Sequence, residues 1–165
     1  WITALIQWLV GAAAVATLLS MNAANPSALP LATALLVQAG QDAGQTAPVM
    51  QALQQHYRDA PSLDVLDGIV ALEAAGSAQP GAGREWYVRH LETEPSLVAA
   101  AKWLATEKLE HEQFHPQVQR ALDRASAPLT RYRCAACGFE ARQHFWQCPG
   151  CQTWDSYPAR RVEEL

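Results

Sequence analysis

Four cysteines, Cys134, Cys137, Cys148 and Cys151, stand close together as two C-x-x-C pairs separated by ten residues, and the chain has no others. No other feature narrows the possible folds as strongly. A disulfide framework spreads its cysteines through the fold it staples. Two tight pairs read instead as ligands for one metal ion in a reducing compartment, which places this part of the chain in the cytoplasm. The two-residue gap lets both sulfurs of a pair reach one ion around a tight turn. Four thiolates then make a closed tetrahedral site for one zinc or one iron ion. No coordination position is left open for a substrate, so a structural role outranks a catalytic one. The competing reading, two redox-active dithiols, needs a thioredoxin-like context that the sequence lacks.

The residues around the cysteines suit such a knuckle. Gly138 follows the first pair, where a positive φ is needed, and Pro149 and Gly150 shape the second. The ten intervening residues are enough for a short hairpin. Four thiolates and a divalent ion leave a net charge of −2, which backbone N–H groups, with Arg131 and Arg133, are expected to offset. Phe139, Phe145, Trp146 and Trp154 are the expected core. In so small a module the ion must contribute much of the folding free energy.

Upstream, three segments are alike: Asn25-Pro26-Ser27, Ala60-Pro61-Ser62-Leu63 and Glu94-Pro95-Ser96-Leu97. The spacing of their prolines matches the period of a tetratricopeptide repeat, about 34 residues folded as two antiparallel helices. Each Pro-Ser sits where a helix should start, since Pro is tolerated in the first turn and Ser can cap. Helical spacing then recurs. Leu63, Leu66, Ile69, Val70 and Leu72 form one face that ends at Gly76. Trp86, Tyr87, His90 and Leu91 form the next, followed by Leu97, Ala100, Ala101 and Leu104, and then by Val118, Ala121 and Leu122. In the first repeat Leu35, Leu36 and Val37 precede a turn over Gly40–Gly44, and Val49, Met50 and Leu53 follow it. Stacked hairpins share a continuous core and leave a concave side free for a partner. The expected fold is therefore mainly α. Residues 1–127 form a tetratricopeptide-type helical-hairpin solenoid, and residues 128–165 a small β metal knuckle.

Residues 1–25 admit two readings. No charged residue precedes Asp42, and Trp1 to Ser20 is apolar and about long enough to span a bilayer. The favoured reading is a truncated repeat, with Gly11 as the turn between helices and Ala12 to Asn25 as a second helix leading into Pro26. Gln7, Gly11 and the repeat phase all oppose one continuous span. The chain begins at Trp1, as a fragment or processed product does.

Charge and motifs exclude several functions. The net charge is −4. Residues 1–127 carry seven Lys+Arg against twelve Asp+Glu, and residues 128–165 carry five against four. Neither part is basic enough for a nucleic-acid surface. His111-Glu112-Gln113-Phe114-His115 matches H-E-x-x-H, but Pro116 follows at once and biases His115 away from a helix interior. No third ligand is in place, so the match reads as chance on a turn. His56, His90 and His144 carry no motif; His144 is expected at the surface, with a contact to the metal ligands as the other option. Phosphate-binding loops and the G-x-S-x-G elbow are both absent.

Taken in order, the parts resemble a known family. Helical repeats, then Y-R-C-x-x-C-G-F from Tyr132, W-Q-C-P-x-C from Trp146 and x-x-W-D ending at Asp155 are similar to lipopolysaccharide assembly protein B (LapB, also called YciM). The likeness is specific over 131–158 and looser over 25–127. It implies a rubredoxin-like domain with an iron or zinc ion on Cys134, Cys137, Cys148 and Cys151. It also implies a non-enzymatic adaptor at the cytoplasmic side of the inner membrane, held by an anchor outside this chain. Such an adaptor promotes degradation of the deacetylase LpxC by the membrane protease FtsH, with protein partners, no nucleic acid, and homo-oligomers as an open option. Fewer repeats and no basic-flanked anchor set this chain apart from the family pattern. The knuckle spacing also resembles the zinc finger of the recombination ATPase RadA, but that finger is N-terminal and precedes a phosphate-binding loop. Two other functions fit a four-cysteine knuckle: rubredoxin-like electron transfer and nucleic-acid binding by a zinc ribbon. A reversible potential would mark the first, and salt-dependent binding the second.

Overall fold

The computed structural model describes residues 2–77, 82–107 and 112–165; of residues 2–10, 22, 23 and 112 it describes only the backbone. Seven α-helices lie among the described residues: α1 (Ile2–Ala24), α2 (Leu29–Asp42), α3 (Thr46–Asp59), α4 (Leu63–Gly76), α5 (Arg84–Thr93), α6 (Leu97–Thr106) and α7 (His115–Ser126). Two short strands follow, β1 (Tyr132–Arg133) and β2 (Glu140–Ala141), paired antiparallel. The expected period is visible in the backbone: α2, α4 and α6 begin at Leu29, Leu63 and Leu97, evenly spaced along the chain. Each starts just after one of the three Pro-Ser signals.

The chain forms two compact units, Trp1–Gly83 and Arg84–Leu165. The sequence drew its boundary after residue 127, beside the end of α7 at Ser126. The compact units divide earlier, so that α5, α6 and α7 belong with the knuckle.

In the first unit α2 packs on α1, α3 and α4. Leu36 and Val37 of α2, Val49 and Leu53 of α3, and Leu66 and Ile69 of α4 make its buried centre. Burying each such side chain is worth about 1.5–3 kcal/mol. Gly11 is not the expected turn, because α1 runs unbroken through it. A Cβ at Gly11 would lie 2.9 Å from the Ala43 Cβ. The glycine lets α1 approach the α2–α3 link closely, which is a packing requirement and not a break. Among the described residues no helix is long and apolar enough to cross a membrane.

The three Pro-Ser signals act differently. Ser96 caps α6, its Oγ accepting from the Ala99 N–H at 2.9 Å. Ser27 instead donates to Asn25 Oδ1 at 2.7 Å. Ser62 precedes α4 without a side-chain cap, and its buried Oγ has no hydrogen-bond partner among the described residues. A hydroxyl stripped of water and left unpaired is unfavourable. Ser62→Ala is therefore expected to stabilise the chain by up to about 1 kcal/mol in urea melts, and a loss of stability would show that the hydroxyl is satisfied.

His56 is buried in α3. Burial holds its imidazole below the ordinary value of 6.5, with the Asp59 carboxylate pulling the other way. The unfolded chain thus binds this proton more tightly than the folded one, so stability falls as pH drops through 6.5 and below. His56→Gln should flatten that dependence in urea melts at pH 7.5 and 5.5. An unchanged slope would remove His56 as its cause.

Candidate metal centre

The two C-x-x-C segments fold as matched knuckles. The Gly138 N–H donates to the Cys134 carbonyl at 2.9 Å, and the Gln152 N–H donates to the Cys148 carbonyl at 2.8 Å. One residue on, the Cys134 N–H reaches the Phe139 carbonyl and the Cys148 N–H the Thr153 carbonyl, each at 2.9 Å. Both turns need a left-handed residue after the second cysteine. Gly138 supplies it at φ 77°, as expected, and Gln152 does so at φ 59°. The matching strain falls on Gln152, not on Pro149 or Gly150. A bridge between Gln147 and Trp154 closes the second knuckle, as β1–β2 closes the first.

All four sulfurs converge within 4.8 Å of one another. The Cys134–Cys151 separation is 3.8 Å and the Cys137–Cys148 separation 3.7 Å. A tetrahedron with sulfurs about 2.3 Å from a central ion has edges of about 3.8 Å. The observed spacing therefore fits one tetrahedral ion and is far too long for disulfides. The first cysteine of each pair is buried and the second exposed.

Polar groups surround the sulfurs, although the Tyr157 hydroxyl itself donates to the Phe139 carbonyl at 3.1 Å. The Gly150 N–H points at Cys148 Sγ at 3.4 Å. The Ser156 hydroxyl lies 3.2 Å from Cys134 Sγ, the Thr153 hydroxyl 3.4 Å from Cys151 Sγ, and the Tyr157 hydroxyl 3.9 Å from Cys148 Sγ. The Ser156 hydroxyl brings the Cys134 thiol down to about 6; the N–H groups of Cys137 and Ala136 add to this, and burial opposes it. The Thr153 hydroxyl, then its N–H, lowers Cys151. At Cys137 the Phe139 N–H favours the thiolate, but the neighbouring thiol of Cys151, burial, and then Cys134 and Cys148 outweigh it and push the group up to about 12. Burial, followed by the nearby Cys148, raises Tyr157 to about 12. Four adjacent thiols do not all ionise unaided; a cation makes four thiolates compatible, and its binding releases protons.

Two expectations about the surroundings are corrected. Arg131 and Arg133 both pair with Glu140. Arg133 grips Glu140 through Nε at 3.0 Å and Nη2 at 2.8 Å, and Arg131 Nη1 lies 3.7 Å from the same carboxylate. The groups that favour thiolates are backbone N–H groups, with the Ser156 and Thr153 hydroxyls, instead. The core also differs, for Phe139, Trp146 and Trp154 are 44, 61 and 65 % exposed. Strands of two residues cannot cover a second layer, so only residues flanking the sulfurs turn inward. These are Tyr132 and Tyr157, both buried, with Phe145 half-buried against Tyr157 at a centroid distance of 6.0 Å. His144 is a packing residue there, not a surface one. Its ring stands edge-on to Tyr132 at 5.7 Å and to Tyr157 at 6.0 Å, and its Nε2 lies 3.0 Å from the Tyr157 carbonyl.

Sequence reasoning missed Glu163. After the knuckle, the Val162 and Glu163 N–H groups donate to the Arg131 and Leu129 carbonyls at 2.7 and 3.2 Å. Arg161 stacks over Tyr132 at 4.1 Å and donates to the Thr130 carbonyl at 2.8 Å. This path delivers the Glu163 carboxylate to the N-terminus of α6. It accepts from the Leu97 N–H at 2.5 Å, the Val98 N–H at 3.2 Å and the Ser96 hydroxyl at 2.8 Å. A carboxylate suits the donors and dipole of a helix N-terminus. The partners are far apart in sequence, and no local pattern announces such a pair.

The H-E-x-x-H match does not form a site among the described residues. Glu112–Phe114 is a 3-10 turn, α7 begins at His115, and His115 Nε2 lies 3.0 Å from the Leu104 carbonyl. His111 falls outside the described residues. Among the described residues, the four cysteines are the one group of metal-ligating side chains brought together.

Closed tetrathiolate geometry on two matched knuckles defines a rubredoxin-type metal-binding module. Residues 132–157 match the family model of the rubredoxin metal binding domain of the LapB zinc-ribbon type. Helical hairpins followed by this domain are consistent with the C-terminal portion of lipopolysaccharide assembly protein B. No curated protein matches the chain.

Proposed function

We propose that the chain is a non-enzymatic adaptor that restrains lipopolysaccharide synthesis. In this reading it acts at the cytoplasmic side of the inner membrane and promotes turnover of the deacetylase LpxC by the membrane protease FtsH. The observation that carries the reading is the order of parts: helical hairpins at an even, tetratricopeptide-like period, then a LapB-type rubredoxin domain over 132–157. The helices offer surface for protein partners. The four thiolates hold one iron or zinc ion, which acts as a cross-link because no coordination position is open.

Affinity capture from a Gram-negative lysate, wild type beside Cys148→Ser, tests this. Metal-dependent recovery of LpxC and FtsH is the expected result. Recovery of neither, with electron-transfer or nucleic-acid proteins enriched instead, would overturn the adaptor reading while leaving the metal module intact.

A further inference from the structure

Ser156 occupies an unusual place among the groups near the sulfurs. It is buried, and so is Cys134, which is only 1 % exposed. Its carbonyl accepts from the Ala135 N–H at 2.7 Å, which ties it to the first knuckle. Its hydroxyl donates to the Thr153 carbonyl at 3.2 Å and accepts from the protonated Cys134 thiol, also at 3.2 Å; once that thiol is a thiolate, only the hydroxyl can donate between them. One hydroxyl proton serves one acceptor at a time. The Thr153 carbonyl already accepts from the Cys148 N–H at 2.9 Å, so it is not orphaned when the hydroxyl turns away. Water does not reach the buried sulfur, and besides Ser156 its donors are the N–H groups of Cys137 and Ala136, which the knuckle backbone holds in place. At the matching outer position, Thr153 Oγ1 lies 3.4 Å from Cys151 Sγ, but Cys151 is exposed and water can replace that hydroxyl.

We propose that Ser156 is a positioning residue for the ion: its hydroxyl donates to the Cys134 thiolate, fixing the sulfur's direction and reducing its electron density. The inference rests on the four cysteines holding an ion. A hydrogen bond to a ligating atom typically supports metal affinity by about ten- to a hundredfold. Burial concentrates that effect at Ser156, while solvent dilutes it at Thr153.

The test uses the full chain loaded with Co2+ as a spectroscopic probe, comparing wild type, Ser156→Ala, Ser156→Thr and Thr153→Ala. Ser156→Ala is expected to shift the sulfur-to-cobalt charge-transfer band to lower energy and to weaken Co2+ binding by about ten- to a hundredfold. Ser156→Thr should restore the band, and Thr153→Ala should leave it nearly unmoved. A Ser156→Ala chain with wild-type band and affinity overturns the proposal, as does a Thr153→Ala effect of equal size. If Ser156→Ala takes up no cobalt, recovery in Ser156→Thr supports the role of the hydroxyl, and failure there refutes it. A wild-type chain without a four-thiolate cobalt spectrum would instead refute the metal site itself.

Discussion

A Cys148→Ser chain is expected to lose its ion and, with it, the fold of residues 132–157. Cys148 is buried at 1 % exposure, and its sulfur stands 3.7 Å from Cys137 Sγ. Serine puts a hard, protonated oxygen where a soft thiolate is needed, and the shorter side chain does not reach as far. The remaining module has almost no apolar interior, since three of its large aromatic side chains face solvent. In small zinc peptides the ion contributes about 10–16 kcal/mol of apparent binding free energy. Losing even half of that exceeds what two strands of two residues and two inward tyrosines can replace. Elemental analysis should find about one ion per wild-type chain and none in the variant. Near-ultraviolet circular dichroism from the knuckle aromatics should collapse while the helical far-ultraviolet signal largely persists. Stoichiometric ion in a chain with an intact near-ultraviolet spectrum would refute the cross-link role.

Removing the carboxylate that caps α6 should have the next largest effect. Glu163→Ala strips acceptors from the Leu97 and Val98 N–H groups and from the Ser96 hydroxyl. Hydrogen bonds to a charged acceptor are worth about 1.5–3 kcal/mol each, though the orphaned donors of the first turn recover part of this from water. A net loss of about 2–3 kcal/mol is expected in urea melts of the full chain, with ion content unchanged. Glu163→Gln keeps an acceptor oxygen but not the charge, so its loss should be intermediate. Equal stability in all three chains would mean that the contact contributes nothing. Loss of the ion in Glu163→Ala would instead mean that the C-terminal segment supports the knuckle more than it supports α6.

Much of this architecture is legible from residue types at fixed spacings. The Pro-Ser signals that begin at Pro26, Pro61 and Pro95 lie just before the starts of α2, α4 and α6, because proline acts within one turn of its own position; of the three serines only Ser96 caps its helix. The four-cysteine cluster is equally local in kind, since two C-x-x-C turns and a ten-residue gap bring the sulfurs together through backbone geometry. Gly138 belongs to the same class, as positive φ is a property of one residue.

Other features depend on what arrives from far along the chain. Gly11 reads as a turn in sequence, but the close approach of Ala43 shows it to be a contact point inside an unbroken helix. Trp146 and Trp154 read as core by hydrophobicity, yet strands of two residues leave no second layer to cover them. Arg133 looks like a counter-charge for thiolates until Glu140 appears opposite it across the β1–β2 pair. Glu163, Ser156 and the paired acceptors around Thr153 have no signature at all. By itself the sequence determined the helical period, the clustering of the four cysteines and the turn chemistry, all set by interactions a few residues long. Only the tertiary structure decided which aromatics are buried, what neutralises the arginines and which carboxylate caps α6. Those outcomes depend on contacts between distant segments, whose strength comes from desolvation and mutual orientation that no local pattern encodes.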